Sequence, residues 1–179
     1  MAERCESGSK TIAGELTIRR FRLRDLWPIV RIERACFGRH AFDGPTFLYF
    51  ALSGRGWFLV AHCAGATAGY VVARPKRERG QRGAHIVTIA VDAAYRGRGV
   101  GRELIASLLG RLHSAGVETV SLEVSVGNSA AIELYHQFGF HEVETLPAYY
   151  GPGEDGVLMV LDRRGGQDFL PSPEQHSDR

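Results

Sequence analysis

The sequence predicts a mixed α/β (α+β) fold: one central sheet of about seven strands flanked by about four helices. Two observations carry this expectation. Apolar runs of strand character alternate with apolar stripes at helical spacing between residues 16 and 161, in the order β-α-α-β-β-β-α-β-α-β-β. A chain of 179 residues, 44% hydrophobic and 23% charged, also has the size and composition of one domain able to bury a core. No internal repeat is present.

Each element has a local reason. Residues 16–21 read as a short strand. Asp25 is placed to cap a helix through Cys36, with Leu26, Ile29, Ile32, Cys36 and Phe37 on one side. Pro28 falls in its first turn, where a missing N–H does no harm. Gly44-Pro45 opens a second helix through Leu52. The runs 57–63 and 66–74, split by Ala64-Gly65, read as a hairpin. Residues 75–83 read as a charged turn, and 85–92, rich in β-branched side chains, as a strand. A helix over 99–115 ends at Gly116, and a strand follows over 119–124. Ser129 or Asn128 caps a helix over 129–138, which Gly139 stops. Strands over 141–146 and 157–161 complete the order. The expected domain is 15–163. Residues 1–14 and 164–179 are polar, lack apolar periodicity and read as flexible tails.

Composition narrows the function classes. With 22 Lys and Arg against 20 Asp and Glu, the net charge of +2 points neither toward nor away from nucleic acid. The basic stretch 74–82 has no interleaved aromatic residue, so a nucleic-acid partner is not expected. No apolar run approaches the roughly 18 residues of a membrane span, and residues 1–11 have no apolar segment of a signal peptide. Cys5, Cys36 and Cys63 form no CxxC pair and suit the reducing cytoplasm; Cys36 and Cys63 lie in apolar runs and read as buried thiols. The seven histidines include no pair at metal-ligand spacing, so no metal is expected.

Two blocks carry chemistry. After the strand ending Ile89-Ala90-Val91 comes Arg96-Gly97-Arg98-Gly99-Val100-Gly101-Arg102, then the helical stripe Leu104, Ile105, Leu108, Leu109 and Leu112. Glycines allow close backbone approach, and the first N–H groups of a helix have no internal partner. With the helix dipole they make an anion site suited to a pyrophosphate, to which three arginines add charge. A plain strand-to-helix turn would look similar. The spacing fits neither a Walker loop nor a dinucleotide fingerprint, since Leu104 occupies the place of the last glycine. The second block runs from Leu122 to Phe140. Read alone, Tyr135 in it is an amphipathic core aromatic and Glu123 a solvated strand residue.

Arg96-x-x-Gly99-x-Gly101 resembles the [Q/R]-x-x-G-x-[G/A] signature of GNAT acetyltransferases. Leu122-Glu123-Val124, Asn128, Ala131, Leu134-Tyr135 and Gly139-Phe140 are similar to the L-E-V-x-x-x-N-x-x-A-x-x-L-Y-x-x-x-G-F pattern of RimI-type protein N-terminal acetyltransferases. Residues 85–91 and the run Tyr149-Tyr150-Gly151-Pro152-Gly153-Glu154-Asp155 resemble segments of the same group. The resemblance implies a GNAT domain that moves acetyl from acetyl-CoA to a primary amine, above all the α-amine of a protein or peptide. It implies that the amides of 97–102 hold the pyrophosphate, and that Ile89, Ala90 and Val91 pair with the pantetheine arm, one amide polarising the thioester carbonyl. Asn128 is implied as a further contact of acetyl-CoA, Glu123 as general base, and Tyr135 as the acid that protonates the leaving thiolate. Tyr149 and Tyr150 are implied to line the acceptor groove. Residues 31–37 resemble an I-E-x-x-x-F helix forming another wall, with Glu33 and Phe37 as its contacts, whereas 38–47 depart from the group's Pro-Trp link. His85 is the alternative base. The alternatives to a protein N-terminus are a small amine (polyamine, amino acid or antibiotic) and a non-catalytic acyl-CoA-binding module. A monomer and a homodimer are both compatible.

Overall fold

The computed structural model describes residues 15–53, 56–78 and 81–162. The expected tails, 1–14 and 164–179, lie outside the described residues, as do residues 54, 55, 79 and 80. Seven strands and four helices are present: β1 (Leu16–Arg20), α1 (Leu26–Phe37), α2 (Gly44–Leu52), β2 (Trp57–Cys63), β3 (Ala66–Glu78), β4 (Gln81–Val91), α3 (Val100–Ser114), β5 (Thr119–Ser125), α4 (Ser129–Gln137), β6 (His141–Gly151) and β7 (Glu154–Asp162). Short 3-10 turns precede α1, α2 and α3.

The strands form one mixed sheet in the order β1-β2-β3-β4-β5-β7-β6. Every neighbouring pair is antiparallel except β4 with β5. That parallel pairing is short: Gly83 faces Thr119, Ala84 faces Val120 and His85 faces Ser121. Beyond those three pairs the strands separate, leaving a V-shaped notch at their carboxyl ends. A register shift adds to it, because Val72 and Ala73 of β3 face Thr88 and Ile86, which leaves Val87 as an extra residue on β4.

Side-chain alternation divides the core between the two sheet faces. Val71 of β3 joins Leu104, Ile105, Leu108 and Leu109 of α3 on one face. Its neighbours Tyr70 and Val72 join Ile29 and Ile32 of α1 and Phe47 of α2 on the other. Leu108 is wholly buried, and truncating such a leucine to alanine costs about 2–5 kcal/mol. α3 therefore seats firmly on the sheet, and its N-terminus is fixed beside the notch.

Three expectations need correction. Residues 75–83 are not a turn: β3 runs to Glu78 and β4 starts at Gln81, with Pro75 opposite Ala84. β2 ends its pairing at Trp57 opposite Ala73, so β3 beyond that point has one open side and a proline there need break no ladder bond. Asp25 does not cap α1. Its carboxylate turns back to accept the Arg22 amide and both arms of the Arg19 guanidinium, at 2.7–2.8 Å. Finally, β5, β6 and β7 are longer than expected, and the two tyrosines Tyr149 and Tyr150 fall within β6. At α4 the cap is Asn128, which receives the Ala131 N–H, and at α2 the structure adds a cap not anticipated, Asp43, which receives the Thr46 N–H.

Candidate active site

A cleft of about 640 Å³ opens on the notch. Ile86 to Ile89 of β4 and Leu122 to Ser125 of β5 form its two banks, α4 contributes Asn128 at its cap and Tyr135, and Tyr149 and Tyr150 close one end. Glu33, Cys36 and Phe37 of α1, with His40 and Phe42 of the following loop, line the opposite wall. A second hollow of about 860 Å³ lies against β1 and the β2–β3 turn. Its central carboxylate, Asp25, is satisfied by Arg19, and the hollow does not reach the notch, so the cleft is the candidate site.

The glycine loop sits between β4 and α3. Gly97 and Gly99 have φ of 68° and 79°, conformations that strain any other residue. A Cβ at either would meet no protein atom within 4 Å, so the space above the loop is open. Gly101 differs. It lies inside α3, where a Cβ would rest 3.6 Å from Leu134 and 3.7 Å from Val91, so it sets how closely α3 approaches α4 and β4. The arginines diverge as well. Arg96 turns inward, its Nε donating to the Val91 carbonyl at 3.1 Å and its Nη2 to the Cys36 sulfur at 3.1 Å. Arg102 reaches Gln137 at 2.6 Å, and Arg98 lies over the Tyr95 ring. Cys36, expected as a buried thiol, is only half-buried and lines the cleft; Cys63 is buried.

The titratable groups form a connected set. Glu123 and His85 project from neighbouring strands, with His85 Nε2 3.2 Å from the Glu123 carboxylate and Nδ1 3.2 Å from the Ser121 hydroxyl. The His85 hydrogen bond holds the Glu123 carboxyl below its usual range, against partial burial, and the Tyr149 hydroxyl adds to the effect. Burial, with Glu123 nearby, raises Tyr149; burial pushes Tyr150 up to about 12. Tyr135 is 4% exposed, its ring packed on Phe140. Burial raises its phenol, so the group keeps its proton throughout the neutral range. The Tyr135 side chain lines the cleft, and its oxygen is not among the buried polar atoms left without a partner.

Glu33 lines the cleft wall and is at the same time held by its own partners. It is 1% exposed and accepts hydrogen bonds from the Phe42 amide, the Tyr70 hydroxyl and the Thr88 hydroxyl. Burial raises its carboxyl despite these three donors. It ties α1 to β3, to β4 and to the loop that forms the cleft wall. Phe37, by contrast, is exposed at the cleft. His40, Phe42 and Ser121 were not anticipated as parts of the site; no local pattern marks them, since a long-range fold brings them there. Among the described residues no group of three or more His, Cys, Asp or Glu gathers around a metal-sized point, and no helix is long and apolar enough to cross a membrane.

Residues 26–140 match the sequence model of the Acetyltransferase (GNAT) family. An N-alpha-acetyltransferase of Sulfurisphaera tokodaii is 35% identical over 157 residues, covering 82% of this chain and 92% of its own length. A [Ribosomal protein bS18]-alanine N-acetyltransferase of Escherichia coli is 41% identical over 81 residues, 44% of this chain and 55% of that one. Among solved structures, that of the ribosomal-protein-S18-alanine N-acetyltransferase from Escherichia coli superposes with a TM-score of 0.74 at 28% identity, covering 87% of this chain and 99% of that one.

Proposed function

The chain belongs to the acetyltransferase (GNAT) family, and on that premise we propose that it transfers the acetyl group of acetyl-CoA to the α-amine of a protein or peptide N-terminus. The observation that carries the proposal is the cleft between the diverging strands, onto which an ionised carboxylate, a protonated phenol and a pair of tyrosines all open. The similarity to an N-alpha-acetyltransferase along most of both chains supports the choice of acceptor.

Acetyl-CoA supplies an activated acetyl group as a thioester. Its phosphates suit the open space over Gly97 and Gly99 and the unpartnered first amides of α3. The β4 amides that face the notch are free of β5 and can bond the pantetheine arm. Asn128 lines the cleft beside them.

An amine attacks a thioester only when neutral. An α-amine has an unperturbed pKa near 8, so roughly a tenth is free at pH 7, against fewer than about one in a thousand for lysine. Glu123, ionised, accepts the ammonium proton directly or through one water, and His85 and Tyr149 orient its carboxylate. As the new C–N bond forms and the C–S bond breaks, Tyr135 gives its hydroxyl proton to the departing sulfur. Holding both substrates in one cleft supplies much of the acceleration. The free thiols Cys36 and Cys63 suit a cytoplasmic setting.

The test is acetylation of peptides with a free N-terminus beside the same peptides blocked at the α-amine but carrying an internal lysine, and beside a panel of polyamines, amino acids and aminoglycosides. Mass spectrometry locates the acetyl group. Acetyl on the α-amine of the free peptides is the expected result. Turnover confined to the small amines would overturn the proposal.

A further inference from the structure

An ion pair joins the wall formed after α1 to the start of β7. Arg39, in the 3-10 turn Gly38–His40 after α1, lies 3.4 Å from the Glu154 carboxylate at the start of β7. Arg39 also donates from Nε to His40 at 2.9 Å, whereas the Glu154 side chain has no other partner among the described residues. Glu154, His40 and Tyr149 all line the cleft, so the bridge spans the way in.

Charge along the chain is divided unevenly about this bridge. Residues 112–162, which supply β5, α4, β6 and β7, carry eight carboxylates and no lysine or arginine. Residues 16–111 carry seventeen lysines and arginines against six carboxylates. Arg39 is thus a cation lent by the basic part of the chain to a wall that has none of its own.

Resting on the reading of the chain as an acetyltransferase for N-terminal α-amines, we propose that Glu154 is a specificity-determining residue. It selects acceptor peptides that carry a lysine or arginine shortly after the terminal residue, by exchanging Arg39 for the acceptor's own cation. The exchange is cheap, because Arg39 and Glu154 are 70% and 52% exposed and such pairs add little stability. It is also asymmetric. A displaced Arg39 keeps His40, while a displaced Glu154 keeps nothing and stays on the wall without cations. A basic acceptor therefore restores what its entry breaks. An acidic acceptor meets Glu154 and Glu123 with like charge.

The experiment compares kcat/KM for three peptides alike except at residues two to four, where lysine, glutamine or glutamate stands. At low ionic strength the lysine peptide should exceed the glutamate peptide by about three- to tenfold, and about 1 M salt should erase most of the difference. Glu154→Gln should bring the ratio close to one, Glu154→Arg should invert it, and Arg39→Gln, which removes the competing cation, should increase it. A bridge that served only to brace the loop would lower all three peptides together and leave the ratio alone. Wild-type values within twofold of one another at low salt, or an undiminished ratio in Glu154→Gln, overturns the proposal while leaving the acetyltransferase reading intact. Failure to acetylate any free N-terminus would instead remove that reading, and this inference with it.

Discussion

Tyr135→Phe separates chemistry from packing at the centre of the cleft. The change deletes one oxygen and keeps the ring against Phe140. The oxygen opens on the cleft and is not buried without a partner, so water there can satisfy it and its removal leaves no group stranded. The melting temperature should accordingly hold to within roughly 3 °C, the shift that about 1 kcal/mol produces in a domain of this size. Acetyl-CoA affinity should hold as well, because the phosphate loop lies on a separate element. Turnover should fall by about 10²- to 10⁴-fold, the range typical of a lost general acid. The assay is steady-state release of free CoA beside calorimetric affinity and a thermal melt. A variant that is destabilised yet fully active would show the tyrosine to be a packing residue and refute the reasoning.

Three further outcomes follow from the same geometry. Gly99→Ala places a methyl in open space at a φ of 79°, so the protein should fold with a loss of about 1–2 kcal/mol while acetyl-CoA affinity drops at least tenfold by calorimetry, on the order of 1.4 kcal/mol; unchanged affinity would remove the loop from the site. Glu123→Gln should lower turnover most at low pH, where free amine is scarce, and an unaltered pH–rate profile would move the base elsewhere. Because the Glu123 carboxyl titrates lower when folded, its contribution to stability is present above the ordinary carboxylate pKa near 4 and is lost as pH falls through the folded value, so the melting difference between wild type and variant should shrink there. Glu33→Ala should cost about 3 kcal/mol and raise the acceptor KM, since it strands the Phe42 amide and the Tyr70 hydroxyl. Glu33→Gln, which keeps an acceptor for that amide and removes a buried charge, should restore most of the stability at pH 7; equal melting temperatures for the two variants would contradict the hub.

What was legible in the sequence was whatever is decided locally. The eleven elements and their order follow from periodicity, and the helix ends at Asn128 and Gly116 from single residues beside them. Pro75 misled because a proline in a charged run reads as punctuation, while the open side of β3 that tolerates it is a property of where β2 stops. Asp25 misled because its true partner, Arg19, belongs to another element. The same limit holds at the cleft. Glu123, Tyr135 and the tyrosine pair line the cleft and were named only through the family resemblance, since read alone Glu123 was a strand residue and Tyr135 a core aromatic, whereas the His85–Glu123 contact, the Glu33–Tyr70 bond and the Arg39–Glu154 bridge each join residues 37 to 115 positions apart.

The short pairing of β4 with β5 makes the sheet a seam rather than a continuous fabric. Four strands lie on one side and three on the other, and three residue pairs stitch them. Past the last stitch, alternate amides of β4 face a gap, as the edge strand of any sheet would, but inside the molecule and walled by α1 and α4. Such an inner edge is shielded from other chains, unlike an outer one, and is open to a slender ligand that can bond backbone. A ligand lying there lengthens the seam and couples the opening of the two half-sheets. Acyl-donor binding and global stability are therefore linked: a donor at a hundred times its Kd adds about 2.7 kcal/mol to the folded state. Hydrogen exchange at the amides along the gap should therefore slow when the donor binds.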